Sequence, residues 1–195
     1  MTSALRDMKP GDLIGYSGQG WISAIINLGS YGLPNRGLSH VGIIGGSATN
    51  GTRLVFESTS LCDSPCAITG RRTRGVQAHP IDESIREYRG RVYHYPLYRK
   101  LYRHETDRLT RYLFQAVGLP YDTKGAIRSG GVGLSALESL IRGQDLSALF
   151  CSEFVASALA HIGLFQTANA SRWNPNCLIR TLQQLGTFGP MGRLK

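Results

Sequence analysis

Cys151, His40 and Glu57 are the residues whose types and settings could together build a nucleophile. A thiol attacks as its thiolate, so it needs a base, and the base needs a third group to hold its orientation. Cys151, Phe154, Val155, Ala158, Leu159 and Ile162 recur at one-face helical spacing, which predicts a helix opening at Cys151 with Gly163 as its left-handed cap. A thiolate in the first turn would gain from the unbonded N–H groups and the helix dipole. His40 lies in the strand pattern SHVGII and Glu57 in LVFES, on either side of a segment holding the turn signal Asn50-Gly51. A turn centred near residues 48–49 would place His40 directly opposite Glu57, with Cβ atoms about 5 Å apart on one face. The carboxylate would then hold the imidazole tautomer that leaves its other nitrogen for the thiol. A register slip of one residue would send Glu57 to the other face. Singly, each residue has a structural use, as a small buried thiol, a strand histidine or a solvated glutamate. The combination points to thiol chemistry.

The elements that must position these groups follow from the pattern. A strand is predicted in DLIGY (12–16), a short helix over 21–28 closed by Gly29, and strands over 39–44, 54–58 and 91–96. Residues 61–80 read as irregular. Helices are predicted over 105–117, 134–142 and 177–185, besides the one at Cys151. Early strands followed by a block of helices indicate an α+β domain, one across residues 1–195, with an antiparallel sheet packed against helices.

Several motifs carry a resemblance. In chain order, GDLI (11–14), LSHVGI (38–43), VFES (55–58), Tyr121-Asp122 and FCSEFV (150–155) resemble the YiiX-like permuted papain-type amidases of the NlpC superfamily. The resemblance implies a circularly permuted papain-like fold, in which the histidine-bearing sheet precedes the cysteine-bearing helix. It implies Cys151 as nucleophile, His40 as general base and Glu57 as the third polar residue. It also implies an oxyanion or substrate role for a polar side chain near the end of the first strand, where Tyr16, Ser17 and Gln19 compete. By analogy with other helix-borne nucleophiles, the Cys151 N–H would be one oxyanion donor, the second being unassigned. Glu153 is read as a first-turn residue that stabilises the helix, and Tyr121-Asp122 as shaping the loop before it.

The implied activity is hydrolysis of an amide or peptide bond, such as one in a cell-wall peptide, through a thioester and without a cofactor. One alternative is acyl transfer of the lecithin-retinol acyltransferase type, whose nucleophile motif typically continues Cys-Glu-His where this chain has Cys-Ser-Glu. Another is an inactive basic binding or virion-structural protein.

Composition bounds the partners. Lys and Arg number 22 against 13 Asp and Glu, a net charge of +9, so anionic polymers or surfaces are favoured, with Arg71, Arg72 and Arg74 as the densest cluster. Four cysteines are too few for a disulfide scaffold in 195 residues. Cys62 and Cys66 lack the second pair that a structural metal site needs and read as loop thiols. His79, His94, His104 and His161 lie outside the motifs and read as surface or structural. No apolar run approaches the roughly 20 residues of a membrane span. The N-terminal MTSALRDMKPGD carries charge and proline where a signal peptide needs an apolar stretch. Export by the general route is therefore not expected, whereas cytoplasmic residence and delivery by lysis, a phage particle or specialised secretion remain open.

Overall fold

The computed structural model describes residues 7–18, 37–47, 51–59, 64–72, 74–119, 147–167, 169–170 and 173–195. The helices expected over 21–28 and 134–142, Gln19, Cys62 and Tyr121-Asp122 lie outside the described residues. The fold is α+β. Six strands, β1 (Leu13–Gly18), β2 (His40–Ser47), β3 (Arg53–Thr59), β4 (Gly75–Pro80), β5 (Gly90–Tyr95) and β6 (Gly192–Arg193), form one sheet. Their order is β4-β3-β2-β1-β5-β6, with every neighbouring pair antiparallel. Four helices are described: α1 (Ile81–Glu87), α2 (Arg103–Ala116), α3 (Ser147–His161) and α4 (Pro175–Gln184).

Both faces of the sheet are covered, which is why the central strands read as nearly continuous apolar runs. Leu13, Val41, Ile43, Leu54 and Phe56 pack with Leu109 and Leu113 of α2, Val155 and Leu159 of α3, and Leu178 and Leu182 of α4. The other face carries Ile14, Tyr16, Ile44, Val55 and Val92 against Met8 and Ile81 of α1. Among the described residues, no helix is long and apolar enough to cross a membrane.

Two expectations need correction. The segment 61–80 is not wholly irregular, because its end forms β4, paired with β3 from Leu54↔Pro80 to Thr59↔Gly75. Gly, Gln, Ala and Pro are weak strand formers, so this strand owes its conformation to its partner and to burial. Cys66 lies in a loop, as expected, and is buried there: its Sγ accepts the Ala78 N–H at 3.4 Å, tying the loop to β4. Burial opposes its thiolate, but N–H groups of Ala78, Thr69 and Ile68 outweigh that and lower its pKa. Finally, α3 begins at Ser147, so Cys151 is its fifth residue. Its far end is as expected, with Gly163 at φ +79° and Leu164 N–H bonded to Leu159 O at 3.0 Å.

Helix α4 locks the approach to β2. Asn174 caps it by accepting the Cys177 N–H at 2.9 Å, and Pro175 supplies the first turn. The Asn176 side chain then accepts the Leu38 N–H at 2.7 Å and donates to the Leu38 carbonyl at 3.1 Å. The chain thus enters β2 in a fixed position two residues before His40.

Gly45 shows how tightly β2, β3 and α2 close. A Cβ there would stand 2.4 Å from Phe56 Cε2 and 3.0 Å from Leu113 Cδ1, both in the core. Gly45→Ala should lower stability by about 1–3 kcal/mol, the usual cost of overpacking. Urea unfolding measures it, and an unchanged midpoint would contradict the packing.

Candidate active site

The structure brings Cys151, His40 and Glu57 together. His40 Nε2 meets Glu57 Oε2 at 2.6 Å, with the two side chains 13% and 8% exposed. The Cys151 sulfur is hydrogen-bonded to the His40 side chain. Since Glu57 occupies Nε2, Nδ1 is the ring nitrogen left for the thiol.

The register producing this contact differs from the one expected. Ile43 pairs with Phe56 and Ile44 with Val55, and the pairing shifts between Ile44 and Ser47. That alignment sets Gly42, rather than His40, opposite Glu57. The two functional residues are therefore diagonal neighbours, and a displacement of two residues keeps both on one face. Diagonal pairs are about 7–8 Å apart, within reach of a long side chain. The absent side chain at Gly42 fits this arrangement, because a Cβ there would lie 2.8 Å from Val55 Cγ2 and 3.5 Å from Glu57 Cβ. By strand alternation His40 and Glu57 share the face of Ile44 and Val55, whereas α3 packs on the opposite face. His40 is the first residue of β2, and it is at this end of the sheet that imidazole and thiol meet.

Aromatic rings and hydroxyl groups pack around the histidine. Tyr16 pairs with His40 in the β1–β2 ladder, and their ring centroids are 5.4 Å apart. The Tyr16 hydroxyl is hydrogen-bonded to Ser84 Oγ at 2.7 Å, so this residue meets the site with its ring. Tyr88 packs on Tyr16 at 4.9 Å, and its hydroxyl lies 3.3 Å from Ser39 Oγ. Ser39 in turn donates to the Tyr16 carbonyl and accepts the Gly18 N–H at 3.2 Å. Lys195 Nζ holds the loop beneath by donating to the carbonyls of Arg86 at 2.8 Å and Tyr88 at 2.7 Å. Ser17 is buried beside this network.

The electrostatics favour a charged imidazole. Burial opposes the cation, but the charge and hydrogen bond of Cys151 and those of Glu57 overcome it and raise the His40 pKa to about 10. Burial likewise opposes the Glu57 carboxylate, which His40 and, at longer range, His79 nevertheless hold below its ordinary value. Tyr88 is pushed up, chiefly by burial, and the charges of Glu57 and Cys151 add to the effect despite the Ser39 hydrogen bond.

Sequence reading missed part of this site. His79 is structural as expected, but it is buried in β4, and its Nε2 has no hydrogen-bond partner among the described residues. Tyr88 and Asn176 sit in no motif and become visible only through tertiary contacts. Cys151, the fifth residue of α3, stands beyond the first turn of the helix, where the unbonded N–H groups lie. Among the described residues, no group of three or more His, Cys, Asp or Glu side chains is arranged to hold a metal ion.

No protein-family model and no curated protein matches the sequence. Among solved structures, the metalloprotein yiiX from Escherichia coli O157:H7 (DUF1105) is similar at 17% identity and a TM-score of 0.49. The similarity covers 80% of this chain, which spans 66% of that one.

The shifts give a stability test with a definite sign. A raised His40 contributes stability that is whole below its ordinary 6.5 and lost as pH rises through about 10. A lowered Glu57 contributes stability that is present above its ordinary 4.5 and lost as pH falls through its folded value. The stability margin of the native protein over Glu57→Gln should therefore be widest near neutrality and narrow toward both extremes. Denaturant midpoints across pH measure it, and a margin that grows with acid would contradict the pair.

Proposed function

We propose that the protein is a cysteine hydrolase of the permuted papain-like type, cleaving an amide bond through a thioester. The observation that carries this reading is the buried chain of contacts from the Cys151 thiol through His40 to Glu57. The chain order supports it too, since the histidine strand precedes the cysteine helix. An imidazole raised to about 10 by its neighbours stays protonated at neutral pH, which sets a cation beside the Cys151 sulfur.

In this reading the Cys151 sulfur attacks the amide carbon, and a C–S bond forms as the carbonyl oxygen takes the negative charge. His40 passes its proton to the nitrogen, and the C–N bond breaks to release the amine. His40 then takes a proton from water as that water attacks the thioester, which frees the acid and returns the proton to the thiolate–imidazole pair. Glu57 keeps the ring aimed throughout, and Tyr16 holds it by ring contact. An amide of a cell-wall peptide is the substrate class the motifs imply. Arg71, Arg72 and Arg74, all exposed beside β4, would help capture an anionic polymer bearing it.

Hydrolysis of short peptide amides, including γ-linked ones, and of purified peptidoglycan tests the reading. Cys151→Ala should abolish turnover, and His40→Ala should remove about 10²–10⁴-fold, the range of general acid–base catalysis. Glu57→Gln should lose less, and the double variant should be no worse than His40→Ala, because an orienting group then has nothing to orient. Iodoacetamide labelling of Cys151 should fall in His40→Ala, while that of the partly exposed Cys177 stays unchanged. Full turnover by Cys151→Ala would refute the proposal, and additive losses in the double variant would give Glu57 a separate role.

A further inference from the structure

Tyr98, Tyr102, Leu185 and Met191 are large apolar side chains between 60% and 68% exposed. All four lie in two irregular segments, 96–102 and 185–191, which are bonded side by side at the β5–β6 edge of the sheet. There the Tyr98 N–H donates to the Thr187 carbonyl at 3.1 Å and the Gly189 N–H to the Pro96 carbonyl at 2.8 Å, while Leu97 bridges Phe188. Gln183 adds a bond to the Gly189 carbonyl at 2.9 Å, and Phe188 is buried beneath. These bonds fix the segments that display the apolar groups. Withdrawing those groups into the core would break them.

The same segments and the elements flanking them carry exposed cations: Arg99, Lys100 and Arg103 along the first, Arg180 on α4 and Arg193 in β6 beside the second. The acids of the first segment are Glu105, held by Arg99 through two bonds at 2.6 and 2.7 Å, and Asp107. The Arg99 guanidinium also lies 5.3 Å above the Tyr102 ring. A cleft lined by Leu38, Tyr95, Arg180 and Met191 opens beside the patch. The cluster of Arg71, Arg72 and Arg74 stands by β4, at the opposite edge of the sheet.

We propose that this surface docks the protein on an anionic phospholipid bilayer, with Leu185, Met191 and the tyrosines entering the interface and the cations meeting headgroup phosphates. Apolar groups within a basic rim are what a peripheral membrane site needs, and tyrosine suits the headgroup level. Single-stranded nucleic acid would instead favour a charged groove lined by aromatic faces, and aliphatic Leu185 and Met191 offer no stacking surface. The inference does not depend on the chemistry at Cys151.

Co-sedimentation of the full chain with vesicles tests it. Binding should appear with equal parts phosphatidylcholine and phosphatidylglycerol, be absent with phosphatidylcholine alone, and weaken with salt. Lys100→Gln with Arg103→Gln should lower partitioning roughly fivefold per residue, from about 1 kcal/mol for each basic group near an anionic surface. Leu185→Ser with Met191→Ser should lower it further at every salt concentration, with an unchanged unfolding midpoint showing that the fold is kept. Absence of wild-type binding to the anionic vesicles at low salt would overturn the proposal. So would equal binding to neutral vesicles, or a loss confined to Arg71→Gln, Arg72→Gln and Arg74→Gln. Tighter binding to a single-stranded oligonucleotide, abolished by Lys100→Gln with Arg103→Gln, would assign the surface to nucleic acid instead.

Discussion

The hydrogen bond between His40 and Glu57 is the constraint on which the candidate site depends. A charged imidazole and a carboxylate are both largely removed from water there, and either alone would be costly to bury. Each removes the other's penalty only if the geometry is held, so the surrounding structure reads as a set of restraints on two side chains. The diagonal register brings them within reach, and Gly42 is the residue that lets β2 and β3 close at that level. Tyr16 lies against the ring from the neighbouring strand, Tyr88 backs Tyr16, and Asn176 fixes the backbone leading into β2. The thiol completes the arrangement by giving the second ring nitrogen a partner.

What could be read from the sequence follows the strength of local signals. Apolar runs around His40 and Glu57 were enough to find β2 and β3, and the i, i+3, i+4 stripe found α3. The stripe marks the face of a helix but not its first residue. SALF, ahead of Cys151, is equally compatible with helix, so the start was placed one turn late. The register failed for a related reason. A turn centred near residues 48–49 assumes uninterrupted pairing up to the turn, and the shift between Ile44 and Ser47 breaks that assumption. The face survived only because the error was an even number of residues. The strand β4 does alternate apolar and polar residues over Val76-Gln77-Ala78-His79, but the run is short and poor in strand formers, so its local signal is weak.

Charge follows a different logic from packing. The excess of arginine was legible as a total, but its distribution is a tertiary property. Arg71, Arg72 and Arg74 gather at the β4 edge, while Lys100, Arg103, Arg180 and Arg193 come from distant parts of the chain to the β5–β6 edge. At the second edge the cations accompany Tyr98, Tyr102, Leu185 and Met191, each well exposed. A sequence window sees the first cluster because it is contiguous. It sees only part of the second, the run from Arg99 to Arg103, because Arg180 and Arg193 come from the distant end of the chain that the pairing of the 96–99 and 187–189 segments brings near.

A histidine bonded to a buried carboxylate is not by itself a site, and this molecule contains its own control. His94 Nε2 meets Asp12 Oδ2 at 2.8 Å, with side-chain exposures of 14% and 3%, nearly matching the His40–Glu57 pair. There, however, the carboxylate also accepts the Lys9 N–H on the same oxygen and the Leu97 N–H on the other, each at 2.9 Å. Those bonds tie the entry of β1 to the exit of β5, so that pair works as a brace. The two pairs share residue chemistry, burial and length, and they differ in what else is attached. At Asp12 the additional partners are backbone donors that consume the carboxylate. At His40 the additional partner is a thiol on a different element of the fold. A pair that only braces the sheet gains nothing from a sulfur on its second nitrogen, whereas a pair that generates a nucleophile requires one. That contrast distinguishes the two pairs by the groups attached to them, and the proposed chemistry rests on the pair at the start of β2.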